Sequence, residues 1–155
     1  MRLLAPLLFL ALAVAALPAP ATAIVGGEDA KKGEFPFMAS IQRAGSSGSE
    51  GQICGGSVVG KRWILTAAHC TVFSKKQVQV VVGRTDLSAK GGQVLRVSGF
   101  AVHPDYDDTG SSDVALWRTK KRIKAPRIAL PKAADDALEA AGTVLTVAGW
   151  GVESS

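Results

Sequence analysis

Arg62-Trp63-Ile64-Leu65-Thr66-Ala67-Ala68-His69-Cys70 runs from a bulky apolar segment through two small residues to an imidazole and a thiol. Residues 63–67 have the length and composition of a short buried strand, and Gly60-Lys61 ahead of them turns the chain. His69 therefore stands at a strand end, beside a cysteine whose bonding would hold its backbone. A histidine acting as a base at neutral pH needs a fixed ring and a carboxylate that sets its tautomer. Asp113 is the best candidate, because it opens the otherwise apolar run Asp113-Val114-Ala115-Leu116-Trp117. A carboxylate entering a core needs a hydrogen-bonded or charged partner. The residues alone leave open whether Asp113 is structural or catalytic. The second histidine, His103, precedes Pro104 near Asp105, Asp107 and Asp108 and reads as an exposed loop residue.

Outward from this stretch, short strands alternate with turns. Residues 37–42, 52–59, 63–67, 77–82, 94–102 and 113–118 are six strand candidates. In the fourth, Gln77 and Gln79 face one way and Val78 and Val80 the other. Gly99 inside the fifth marks a bend or bulge, and His103-Pro104 ends it. Arg43 to Gly51 is a Gly/Ser loop. Six short strands with loops between them predict an all-β fold, an antiparallel barrel or sandwich. Residues 119–142 read as a connector, basic and then Pro-punctuated, with one helical turn over 135–141. Residues 143–149 read as a further strand that has no neighbour in the chain.

The 155 residues are one domain's worth, and a hydrophobic content of 47% excludes a disordered chain. The first residues read as a signal peptide over 1–23. Arg2 is its positive start, residues 3–17 are apolar, and Ala21-Thr22-Ala23 is a small-x-small cleavage site. The apolar run is shorter than the ~20 residues that span a bilayer, so secretion is expected, with no membrane attachment after cleavage. In an oxidising compartment the two cysteines, Cys54 and Cys70, point to one disulfide. The rival is a metal site using Cys54, His69 and Cys70, but adjacent His-Cys is a poor chelating pair. We expect no metal and no cofactor. Net charge is +5, and the densest basic cluster is Lys120, Lys121, Arg122, Lys124 and Arg127. It reads as a solvated surface segment, with a polyanion patch as the sharper alternative. No aromatic residue is interleaved with it, so no nucleic-acid partner is expected.

Five motifs in chain order resemble the trypsin/chymotrypsin family of serine proteases. Ile24-Val25-Gly26-Gly27 is similar to that family's mature N-terminus, and Cys54-Gly55-Gly56-Ser57 to the segment bridged to its histidine loop. Leu65-Thr66-Ala67-Ala68-His69-Cys70 resembles the histidine motif, and Asp113-Val114-Ala115-Leu116 the aspartate motif. Gly149-Trp150-Gly151 resembles the first strand of the second barrel. The resemblance implies a six-stranded first barrel over 24–118, a linker over 119–142 and the start of an incomplete second barrel over 143–155. It implies His69 as general base and acid, Asp113 as its orienting carboxylate, and peptide hydrolysis through an acyl-enzyme. Protein or peptide substrates, protein protease inhibitors and a monomeric state follow from it. The family's serine lies in a Gly-Asp-Ser-Gly-Gly-type loop, and the sequence has neither that loop nor a Gly-x-Ser-x-Gly. The 155 residues are thus expected to be a fragment without its nucleophile, inactive alone. The alternative is a non-catalytic secreted relative acting as a binding module. No Lys or Arg precedes Ile24, so signal peptidase itself is expected to expose it, without a zymogen stage. A cut after Ala21 is the rival. The loop from Arg84 to Gly91 carries one acid, Asp86, too few for calcium.

Overall fold

The computed structural model describes residues 27–107, 109–132 and 136–151. The expected mature N-terminus, Ile24, and the expected signal peptide lie outside the described residues. Six strands form: β1 Met38–Arg43, β2 Gln52–Gly60, β3 Trp63–Thr66, β4 Val78–Val82, β5 Gln93–Val102 and β6 Ala115–Thr119. Every pairing is antiparallel, and the order β1-β2-β3-β6-β5-β4 closes on itself through β1 and β4. The sandwich alternative is thereby excluded.

Closure follows from where the apolar residues point. In β6, Ala115, Trp117 and Thr119 alternate inward, and in β3 Ile64 and Thr66 do the same. Ile41, Val58, Ile64, Val80, Leu95, Val97 and Trp117 fill the lumen and are essentially buried. The Trp117 ring meets Phe100 with centroids 4.5 Å apart. The register of β5 against β6 shifts between Val97 and Gly99, the bulge read from Gly99.

β4 is buried on both faces. The Gln79 side of its alternation faces loop 44–51, not solvent. The Gln79 amide donates to the Ser46 carbonyl (2.9 Å), and its Oε1 accepts from the Gly45 N–H (3.1 Å). Gln42, fully buried, donates to the Ser40 hydroxyl and to the Gly48 carbonyl. The Gly/Ser loop is thus held down by two buried glutamines whose polar groups it satisfies.

The connector follows the barrel wall for its first part. Ile123 donates its N–H to the Lys61 carbonyl, Ile128 donates to Val58, and the Ile123 side chain is buried. A single 3-10 turn, Asp136–Glu139, stands where a helical turn was read. Residues 143–149 are not paired as a strand. Each of the six barrel strands already has two neighbours, so no ladder edge is left for a seventh. Val144, Leu145 and Val147 consequently stay exposed, Val144 at 94%. Beyond them Trp150 donates its indole N–H to the Thr85 carbonyl.

Candidate active site

The pairing of β3 with β6 sets the geometry. Thr66 sits opposite Ala115 in the antiparallel ladder. The residues that follow Thr66 therefore meet those that precede Ala115, which brings His69 to Asp113. After β3 the chain enters a 3-10 turn, Ala68–Val72, that carries His69 at its outer surface and buries Ala68 and Cys70. Small residues are needed here, since Ala68 has no exposed area. The disulfide between Cys54 on β2 and Cys70 fastens the turn to the barrel. Next to it the Thr66 hydroxyl donates to the Gly55 carbonyl at 2.7 Å, and Gly56 lies flat against β3. A Cβ on Gly56 would come within 2.8 Å of the Leu65 carbonyl oxygen.

Asp113 is aimed by its own loop. Ser112 has a left-handed backbone (φ 52°), and the Val114 N–H closes back onto the Ser112 carbonyl at 2.7 Å. Upstream, the Asp107 carboxylate accepts from the Thr109 hydroxyl and from the N–H groups of Thr109 and Ser111. Those bonds, the Thr109 hydroxyl first, hold the Asp107 carboxyl below the usual range. This brace was not read from the sequence, although Asp107 with Thr109 two residues on is an Asx-turn pattern.

Both oxygens of Asp113 receive His69. The His69 main-chain N–H donates to Oδ1 at 2.9 Å, and ring Nδ1 lies 2.7 Å from Oδ2. The ring bond and then the main-chain bond hold the Asp113 carboxyl below its ordinary value; burial opposes them more weakly, and attraction to a charged His69 ring adds a lowering smaller still. An ionised Asp113 accepts only, so Nδ1 carries a proton, and in the neutral ring Nε2 is then the nitrogen with the lone pair. The His69 side chain is 62% exposed and that of Asp113 30%, so the ring is reachable from solvent while the acid is mostly covered. The pair can therefore take a proton at Nε2 from an incoming group and stabilise the resulting imidazolium.

The remaining candidates are placed apart from this pair. His103 accepts the Asp105 N–H at its Nδ1. Ser57 is in the body of β2, opposite Leu65, and Ser46 belongs to the loop over Gln79. Among the described residues no serine hydroxyl is hydrogen-bonded to His69. Cys54, His69 and Cys70 have potential ligand atoms within 4.8 Å of one another, but the two sulfurs are joined to each other and offer no thiolate.

Comparison with known proteins agrees with this geometry. The Trypsin family model matches residues 24–155. A trypsin of Saccharopolyspora erythraea is 39% identical over 130 residues, covering 83% of this chain and 55% of that protein. Trypsin 5G1 of Aedes aegypti is 37% identical, covering 83% and 47%. The solved structure of the Vibrio cholerae VesB protease superposes with a TM-score of 0.68 at 30% identity, over 75% of this chain and 37% of that one. The chain spans about half the length of these curated relatives. A family model over residues 24–155, and a barrel that seats a histidine on an aspartate, place the chain in the trypsin family of serine proteases.

Proposed function

We propose that this chain supplies the base and the orienting acid of a secreted serine endopeptidase. The single observation that supports the reading most is the double engagement of Asp113 by His69, through ring and main chain together. A binding module has no use for an exposed imidazole held in one tautomer. His69 Nε2 removes the proton of a serine hydroxyl as its oxygen attacks the scissile carbonyl carbon. The imidazolium then gives that proton to the departing amine, leaving an acyl-enzyme. Water, deprotonated by the same nitrogen, releases the acid and restores the serine. Asp113 stays ionised throughout. The serine, the oxyanion donors and the pocket for the substrate side chain come from outside the described residues. Substrates are peptide bonds of proteins.

The 155-residue chain alone has His69 and Asp113 but no serine in a nucleophile loop, and it is inert on this reading. With the oxyanion hole and substrate pocket outside it as well, the residual ~10³ to 10⁴ over water that a disabled triad keeps is lost too. Labelling with a fluorophosphonate probe tests this. The purified 155-residue chain is expected to take up no label and the full-length protein one equivalent. Labelling of the 155-residue chain would overturn the reading.

A further inference from the structure

At the end of the barrel away from His69, the fold assembles a basic cleft. Trp63 is paired with Arg118 across β3 and β6, three residue pairs from Thr66 and Ala115, roughly 10 Å along the strands. Around that pair Lys61, Arg62, Trp63, Arg118 and Arg122 line an open cleft of about 380 Å³. Two of these cations come from the β2–β3 turn, one from β6 and one from the chain after it. Sequence proximity alone gave only the segment from Lys120 onward and no aromatic residue. Folding adds Lys61, Arg62, Arg118 and an indole.

The cleft is held in shape before any ligand arrives. Thr119 donates its N–H to the Arg62 carbonyl, and Ile123 donates to Lys61. The Gln93 side chain clamps the far side, donating to the Arg122 carbonyl and accepting from the Lys124 N–H. The Arg118 guanidinium lies over the Trp63 ring at 5.9 Å. The indole also leans on Gly60, where a Cβ would come 3.1 Å from its Cδ1. Among the described residues, none of Lys61, Arg62, Arg118 and Arg122 forms an ion pair. Four like charges converging without a counter-charge repel one another, and an anion relieves that repulsion.

We propose that this cleft is a docking site for an acidic polypeptide segment of a partner protein. Three of the four cations are arginines, whose planar forks match carboxylates two bonds at a time. With Arg118 over its ring, Trp63 is a poor platform for stacking a base or a sugar, but the part of it left exposed offers an apolar contact to a peptide side chain. The concave shape fits an extended chain better than a flat lipid surface. The site shares no residue with the His69–Asp113 pair and does not depend on the catalytic reading.

Fluorescence anisotropy of a fluorescein-labelled hexaglutamate peptide with the 155-residue chain at low salt tests the proposal. Saturable binding is expected, weakened at least about tenfold in Arg118→Gln/Arg122→Gln. The exposed pair Lys75→Gln/Lys76→Gln removes the same net charge elsewhere and is expected to change affinity by less than about twofold. Equal weakening by both double variants would overturn the proposal in favour of bulk charge attraction. So would the absence of saturable binding. Tighter, arginine-dependent binding of dextran sulfate or single-stranded DNA of matched charge would overturn the peptide assignment.

Discussion

A carboxylate that receives two hydrogen bonds from one neighbour ties its own ionisation to that neighbour's position. Asp113 is such a group, its carboxyl lowered chiefly by the His69 ring and main-chain bonds. In the unfolded chain it returns to the ordinary aspartate value of about 3.9. Because the folded value is the lower one, its stabilising effect is complete above about pH 4 and is lost as pH falls through the lowered value. Thermal melts of the 155-residue chain and its Asp113→Asn variant between about pH 7 and pH 2.5 check this. The variant is expected to melt lower at neutral pH, and the gap is expected to close on acidification. A gap independent of pH would mean that the carboxylate charge adds nothing to the fold. The residues made Asp113 the best partner for His69 but left its role open, and the motif resemblance supplied that role. The Asp107 brace was not read, because the Asx-turn pattern of Asp107 with Thr109 marks a turn without showing that the same carboxylate also takes the Ser111 N–H.

β3 with its 3-10 turn carries His69, the loop into β6 carries Asp113, and the disulfide-bearing β2 fastens the turn. Cys54 and Cys70 close a loop with a separation of 16 residues. Replacing both by serine is expected to cost about 3 kcal/mol in the loop-entropy account, read as a lower urea midpoint. Within β2 the two adjacent glycines differ. Gly56→Ala drives a methyl into the Leu65 carbonyl and the Ile64 side chain and is expected to cost about 1 to 3 kcal/mol. Gly55→Ala meets nothing within 4 Å and is expected to stay within about 0.5 kcal/mol. Urea titrations of both variants check the contrast, and equal costs would contradict the close contact between β2 and β3. The six strands and the Gly99 bulge were readable because apolar alternation and a strand glycine report on the chain's own geometry, whereas the order in which the strands pair was not. The burial of Gln42 and Gln79 was not. It depends on the Gly/Ser loop folding over them, a tertiary event that hydrophobic periodicity does not encode.

At the scale of the whole molecule, one closed barrel puts two different chemistries at opposite ends of the same strand pair. One end of β3 and β6 presents the His69–Asp113 pair, and the other presents Trp63 with Arg118 and its cationic neighbours. Residues 143–149 fit the sequence reading least. Their apolar pattern is that of a strand, yet strand structure needs a ladder partner and a closed barrel supplies none. The central claim, that His69 and Asp113 act on a serine as one unit, is tested most directly by the kinetics of the full-length protein on a fluorogenic peptide amide. His69→Ala is expected to lower kcat about 10⁶-fold and Asp113→Asn about 10⁴-fold, each with KM nearly unchanged. Wild-type turnover in either variant would contradict the account.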